Sequence, residues 1–264
     1  MPDAPVGRIE EMPWTDAAAA IAAGRPIVLP VGAAAKAHGP HLPLGTDRFV
    51  VEALAARLAE RLPILIAPTA TFGYYPAFVE YPGSQHLPAD LFHDLLAGLI
   101  RGFVAAGAAR IVILNNGVST EAPIQIAAHT IYAESGVRPA IAHLFGRGAD
   151  ARLTDPTGGH ADERETAEML ALRPDLVWLD RLAPICPRDP APPLADAPRL
   201  ARPVRLAHGR PPGPGEDSDL GATGDPRAAT AETGAAILAA TVDELTFALR
   251  SAFPDAPGFG AAGA

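Results

Sequence analysis

Residues 26–47 read PIVLPVGAAAKAHGPHLPLGTD. The first six of these residues form a short apolar run after Gly24, which predicts a buried strand. Thr46 or Asp47 can cap a following helix, in which apolar residues recur at helical spacing from Phe49 to Leu62. The stretch therefore predicts a strand, a loop that carries polar side chains, and a helix.

The same alternation continues along the chain. Further strands are predicted at 64–67, 110–114 and 139–145, and further helices at 90–106, 121–134, 162–172 and 230–250. Apolar residues that recur along the second helix are expected to form its buried side: Leu91, Leu95, Leu99 and Phe103. Short apolar strands joined by helices predict an α/β fold with a mainly parallel sheet covered on both faces. In such a sheet the functional site lies in the loops at the carboxyl ends of the strands.

The chain of 264 residues is predicted to form a single domain. Proline is dense over 184–214, which excludes helix and interior strand there and predicts an extended arm. Residues 254–264 are expected to be a frayed tail.

Composition excludes several classes of function. A net charge of −9 argues against nucleic-acid binding, which needs a basic surface. The single cysteine, Cys186, excludes an internal disulfide and a zinc site built on clustered thiolates. The sequence has no apolar run of membrane-spanning length and no signal-peptide pattern, so we expect a cytoplasmic protein that does not bind membranes.

The loop after the first predicted strand carries His38, His41 and Asp47. Imidazole and carboxylate together are typical ligands of zinc, manganese or iron. The alternative is that the histidines are packed loop residues and that Asp47 caps the helix.

The same loop carries Lys36, the one lysine among the 21 lysine and arginine residues. Either lysine is present here by chance in a sequence whose coding favours arginine, or the position needs a compact amine.

Three other segments offer polar groups. His160 and Glu165 lie beside a glycine pair at a helix start, where carboxylates also gain simply from the helix dipole. The turn 114–120 offers backbone N–H groups and hydroxyls to an anion or a carbonyl oxygen, unless it is only a helix cap. The aromatic segment 73–84 is either a lid or pocket wall, or a long loop packed on itself.

Together these segments resemble the creatininase family of metal-dependent cyclic amidohydrolases. The resemblance rests on HGPHLPLGTD at 38–47, EYPGS at 80–84, HADERET at 160–166 and GDPRAATAE at 224–232, in the family's order. It implies a three-layer α/β/α sandwich with a mainly parallel sheet, assembled as a homo-oligomer and frequently as a hexamer. It also implies a hydrolase acting on a non-peptide C–N bond of a small-molecule substrate.

Two positions depart from the family pattern. Lys36 stands where the family has a metal-binding Glu, and Val118 stands where it has a His after Asn-Gly. The resemblance then leaves His38, Asp47 and a carboxylate, Glu165 or Glu163, as ligands of one divalent ion (Zn, Mn or Fe). A second metal is not supported, and we hypothesise that the Lys36 ammonium supplies positive charge in its place.

The residue roles implied by this resemblance are as follows. His160 would carry a proton to the leaving nitrogen, with Glu163 and Lys36 as further catalytic groups. Residues expected to bind substrate are Gly117, Ser119, Thr120, Tyr75 and Glu80. The expected substrate is a small cyclic amide or a related amide. Two other functions remain open on the same fold: a diverged, non-hydrolytic biosynthetic enzyme, and a metal-free binding or assembly protein.

Overall fold

The computed structural model describes residues 5–144, 152–154, 159–182 and 225–259. Within them five parallel strands form one sheet in the order β1-β3-β2-β4-β5. The strands are β1 (Gly7–Arg8), β2 (Ile27–Val31), β3 (Leu65–Ile66), β4 (Ile111–Asn115) and β5 (Ala140–His143). In the centre Val31 pairs with Asn115, which in turn pairs with His143. These three residues mark the carboxyl edge of the sheet.

In the described parts of the chain, six α-helices cover the two faces of the sheet. They are α1 (Trp14–Ala22), α2 (Thr46–Ala59), α3 (Ala89–Ala105), α4 (Glu121–Ser135), α5 (Glu163–Leu172) and α6 (Ala231–Ala252). One buried cluster joins the sheet to α2, α5 and α6, and a second joins it to α1, α3 and α4. Side chains of β2 alternate between the clusters, because Val28 belongs to the first and Leu29 to the second. The structure confirms the predicted α/β/α sandwich, with a sheet that is parallel throughout.

The sequence missed the first strand and the first helix. β1 is only two residues long and lies at the sheet edge. The helix α1 is rich in alanine and begins at the strongly exposed Trp14, so it lacks a clear apolar stripe. Both elements were too short or too weakly patterned for periodicity to reveal them.

The buried side of α3 is not the one that the leucine spacing indicated. Leu91, Leu95 and Leu99 are 52%, 38% and 39% exposed. The residues that α3 buries are Phe92, Leu96, Ala97 and Ile100. Two apolar stripes run side by side on this helix, and the one that contains the bulky Phe92 packs against the sheet.

The C-terminal tail also differs from the expectation of a frayed end over 254–264. Ala256 and Phe259 are buried in the core, and Arg25 donates a hydrogen bond to the carbonyl oxygen of Pro257. Residues 260–264 lie outside the described residues, as does the whole proline-rich stretch 184–214.

Close packing between α5 and α6 fixes the position of the α5 N-terminus. Gly234 of α6 lies against the backbone of α5, and a Cβ atom there would collide with the carbonyl oxygen of Ala167. The described helices include none that is both long enough and apolar enough to cross a bilayer.

Candidate metal centre

The site lies where the loop after β2 meets the beginnings of α2 and α5. The loop closes on itself through a hydrogen bond from the Lys36 N–H to the carbonyl oxygen of Leu44, 3.0 Å long. Gly32 lets the loop pass under α2, since a Cβ at Gly32 would approach the Asp47 carbonyl oxygen to 2.7 Å. Gly39 has a φ of +65°, which a side chain would disfavour. These glycines allow Lys36 and His38 to turn inward beneath the N-terminus of α2.

Asp47 is the buried acid at the centre of this loop, and it is only 1% exposed. Its Oδ2 atom lies 2.6 Å from Nζ of Lys36, and its Oδ1 atom lies 3.0 Å from Nε2 of His38. Burial alone would raise the pKa of Asp47, but the neighbouring Lys36 and His38 hold it below its usual range. Gly45 is the N-cap residue of α2, so Asp47 is not a simple helix cap.

The hydrogen bonds of His38 determine which of its nitrogens can bind a metal. Nδ1 lies 2.7 Å from the carbonyl oxygen of Lys36, and because a carbonyl only accepts, Nδ1 carries the proton. When the ring is neutral, Nε2 directs a lone pair at Oδ1 of Asp47, and when the ring is protonated, Nε2 donates to that oxygen. Two acceptors facing each other across 3.0 Å need a proton or a cation between them.

His160 is arranged in the same way with its nitrogens exchanged. Its Nε2 atom donates to the carbonyl oxygen of Ala37 at 2.6 Å, which leaves the Nδ1 lone pair 3.5 Å from Oε2 of Glu165. Burial, followed by the charges of His38 and Lys36, lowers the pKa of His160 well below its usual range. The ring is therefore neutral, which is the form that ligates metals.

One ligand atom each of His38, His160 and Glu165 lies within 4.8 Å of the others. Ligand atoms about 2.0–2.2 Å from one zinc ion in tetrahedral geometry are about 3.3–3.6 Å apart. Two imidazoles and a carboxylate are ligand types that suit a divalent ion, and small side-chain movements would bring them to this spacing. Asp47, which the sequence also predicted as a ligand, is not part of this group and contacts it through His38, so its role as a ligand stays a prediction.

The start of α5 holds Glu165 in place. Asp162 caps the helix by accepting from the Glu165 N–H, and the Ala161 N–H donates to Glu165 Oε2 at 2.6 Å. Ala161 has a φ of +49°, a strained value for a residue with a side chain. Burial, and then the charge of Glu165, raises the pKa of Asp162 to about 6. A strained backbone residue and two acidic side chains thus lie where His38, His160 and Glu165, here called the ligand group, come together.

Aromatic rings form one wall of the site. The Lys36 ammonium lies 5.7 Å from the ring centre of Tyr75 and 5.3 Å from that of Phe78. Phe78 also stacks on His160, with ring centres 4.6 Å apart. The Tyr75 hydroxyl is buried and has no hydrogen-bond partner among the described residues. Burial, and then Asp47, raises the pKa of Tyr75, which keeps the phenol neutral.

The sequence predicted that the turn after β4 offers its hydroxyls to a substrate, and the structure shows those hydroxyls already bonded. Ser119 donates to the carbonyl oxygen of Tyr74 at 2.7 Å. Thr120 is buried and donates within the turn, toward Asn115 Oδ1 and the Gly117 carbonyl oxygen. A role in substrate binding stays a prediction for Gly117, Ser119 and Thr120.

Several other predicted residues lie apart from the ligand group. Both carboxylate oxygens of Glu163 accept from the Thr154 N–H. Glu80 is exposed, at the end of the aromatic segment. His41 is buried against Thr166, and burial, followed by the charge of His38, lowers its pKa to about 4. A catalytic role for Glu163 and substrate contact for Glu80 stay predictions.

The sequence assigned proton transfer to His160, and that role stays a prediction; the structure also places His160 in a group of side chains that could hold a metal ion. Its Nε2 is held by Ala37 and its Nδ1 faces a carboxylate, which is the arrangement of a metal-binding histidine. The sequence spacing already indicated that these two side chains are close, since His160 lies just before α5 and Glu165 lies in its first turn. The contribution of Phe78 could not be inferred, because its contact with His160 joins residues distant in sequence.

The family model for creatinine amidohydrolase, named Creatininase, matches residues 10–249. The chain belongs to the creatininase family. It is 29% identical to the creatinine amidohydrolase of Pseudomonas putida over 93% of this chain and 97% of that protein. It is 32% identical to a mycofactocin precursor peptide peptidase of Mycobacterium tuberculosis, over 83% of this chain and 82% of the relative.

A further creatininase-family match is a 3-dehydro-scyllo-inosose hydrolase of Thermotoga maritima. The identity is 33%, over 57% of this chain and 51% of the relative, so this chain matches about half of that protein. Among solved structures, one titled "Creatininase Mn" superposes with a TM-score of 0.72 at 27% identity, covering 95% of this chain and all of the other. A mutant creatininase of Zn-Zn type gives the same TM-score and identity. These relatives are named as hydrolases, and the solved creatininases include manganese and zinc forms.

Proposed function

We propose that this creatininase-family chain hydrolyses a C–N bond of a small cyclic amide or a related amide, with a divalent ion held by His38, His160 and Glu165. One observation carries the proposal: a ring nitrogen of His38, a ring nitrogen of His160 and a carboxylate oxygen of Glu165 lie within 4.8 Å of one another in a largely buried place. When bound, such an ion supplies a Lewis acid and a water acidic enough to attack an amide carbonyl near pH 7.

The chain prepares its ligands before any ion arrives. The carbonyl oxygens of Lys36 and Ala37 hold the rings of His38 and His160 so that one lone pair of each points inward. The Ala161 N–H fixes one oxygen of Glu165. Because these partners are backbone groups of the same loop and helix start, ligand orientation does not depend on long flexible side chains.

Lys36 places a positive charge beside the aromatic wall of the site. The ammonium is fixed beside Asp47 and covered by Tyr75 and Phe78, so its charge is only weakly screened. A fixed positive charge of this kind stabilises the oxyanion that forms when an amide carbonyl is attacked. The proposed role of Lys36 is therefore electrostatic.

The activities after which the relatives are named support the bond class. Creatinine amidohydrolase and a precursor peptide peptidase both act at C–N bonds, although their substrates differ in size. The burial of Lys36, His38 and Asp47 supports a small substrate over a large one.

Ring opening tests the proposal. Protein purified without chelator would be incubated with creatinine, a hydantoin and a small lactam, and ring opening followed by NMR. We expect turnover of at least one amide, lost after chelation and restored by Mn²⁺ or Zn²⁺. Glu165→Gln should lose both turnover and bound metal, whereas Glu163→Gln, two residues away, should keep its metal. Hydrolysis that persists in fully metal-free protein would contradict the proposal. Absence of metal from every preparation would favour the metal-free binding function.

A further inference from the structure

Lys36 and His38 share the carboxylate of Asp47. The two oxygens of Asp47 face different partners: Oδ1 faces His38 Nε2 at 3.0 Å, and Oδ2 faces the Lys36 ammonium at 2.6 Å. A carboxylate that joins two cations offers one oxygen to each of them. We propose that the Lys36 ammonium is a built-in second cation, so that this chain binds one divalent ion and excludes another. The inference rests on the ligand group of the proposed function.

The surroundings of Lys36 are built for a fixed charge. The residue is only 6% exposed, and its ammonium lies over the rings of Tyr75 and Phe78. Both rings attract a cation through their electron-rich faces. The backbone of Lys36 is held at both ends, because its N–H donates to Leu44 and its carbonyl accepts from His38. The backbone of Lys36 is thus part of the loop that orients His38, while the Asp47 carboxylate and the two rings hold its ammonium.

A lysine suits this position better than an arginine would. The ammonium is a compact point charge, closer to a metal ion in size than the planar guanidinium fork. Lys36 is the one lysine among the 21 lysine and arginine residues of the chain, and it stands at this contact.

Charge and ligand supply both oppose a second divalent ion. An ion at Oδ2 of Asp47 would displace the ammonium or be repelled by it at short range. Val118 lies in the turn after β4 and offers only an apolar side chain. Within the described part of the chain, His38, His160 and Glu165 form the one group of three potential ligands.

Counting bound ions tests the inference without reference to activity. Chelator-treated, folded protein would be titrated with Mn²⁺ alone or Zn²⁺ alone, by calorimetry and by native mass spectrometry. We expect one ion per chain in the wild type. Two ions per chain would overturn the inference and leave the proposed function standing, whereas no bound ion would overturn both.

Substitution of Lys36 gives the second half of the test. Lys36→Glu replaces the ammonium by a carboxylate and should bind a second ion, with circular dichroism confirming that it folds. If Lys36→Glu does not fold, Lys36→Gln removes the charge and should add a second, weaker binding event. Arg138→Glu makes the same change of net charge at an exposed position before β5 and should still bind one ion. A single binding event in the folded Lys36 variants would show that the ammonium is not what excludes the second ion.

Discussion

Nδ1 of His160 lies 3.5 Å from Oε2 of Glu165, while Nε2 of the same ring donates to a backbone carbonyl oxygen. The imidazole thus directs a lone pair toward an anion in a largely buried place. Such a pair is unfavourable unless a proton or a cation lies between its atoms. The pKa of His160 lies well below its usual range because of burial, which makes a proton the poorer partner near pH 7.

Removal of the His160 imidazole should therefore release the metal. His160→Ala deletes one of three ligands, and we expect metal affinity to fall by more than the ~10–100-fold typical of losing an outer partner of a ligand. Isothermal titration with Zn²⁺ measures this directly. His129→Ala, on the distant helix α4, is the control and should bind Zn²⁺ like the wild type. Equal affinities in the two variants would exclude His160 as a ligand.

The charge of Lys36 should contribute to turnover. Lys36→Met keeps much of the side chain but removes the ammonium beside Asp47, so the developing oxyanion loses electrostatic stabilisation. We expect kcat to fall by roughly 10²–10³-fold, as for a lost oxyanion donor. Steady-state kinetics would measure the change, on an amide that the ring-opening experiment shows to be turned over. Unchanged kcat together with unchanged metal content would refute a catalytic role for Lys36.

Most of the architecture could be predicted, because four strands are continuous apolar runs separated by helices with clear periodicity. Prediction failed where two patterns competed on one element, as in α3, whose exposed Leu91 and Leu95 have the same spacing as its buried Leu96 and Ile100. Prediction also failed for β1, because a strand of two residues is too short to show an alternation of apolar and polar side chains.

The site was predictable in part for similar reasons. Loop residues such as His38 and Asp47 lie in a contiguous motif, and the structure joins them directly. The grouping of His160 with His38 depends on the fold, since it brings residues 122 positions apart within ring contact at 4.6 Å. The sequence contained these residue types, but the orientation of each nitrogen depends on backbone carbonyls that only the folded loop provides.

The α5–α6 contact should limit the stability of the whole site. Gly234→Ala places a methyl group against the Ala167 carbonyl oxygen, and overpacking of this kind costs about 1–3 kcal/mol. Gly98→Ala on α3 is the matched control, because nothing lies within 4 Å of its added Cβ, and it should be stabilising by about 0.4–1 kcal/mol. Denaturant unfolding of both variants measures the difference. A Gly234→Ala variant as stable as Gly98→Ala would contradict the described contact.

Glu168 should make stability depend on pH. It is buried beside Arg164, and burial raises its pKa from the usual 4.5 to about 7 in the folded chain. A raised folded-state pKa contributes stability that is fully present below about 4.5 and lost as the pH rises through about 7. Metal-free protein should therefore lose more stability between pH 5 and pH 8 than Glu168→Gln does. Glu60→Gln, at the exposed end of α2, should keep the wild-type dependence. A wild-type dependence in Glu168→Gln would show that another group is responsible.

Anomalous diffraction tests the central claim most directly. Crystals grown with Mn²⁺ or Zn²⁺ would be measured on both sides of the metal's absorption edge, so that bound ions appear as peaks in the anomalous difference map. The account predicts one peak per chain, about 2.0–2.2 Å from His38 Nε2, His160 Nδ1 and a carboxylate oxygen of Glu165. A map with no peak among these three side chains, or with the ion bound elsewhere, would contradict it.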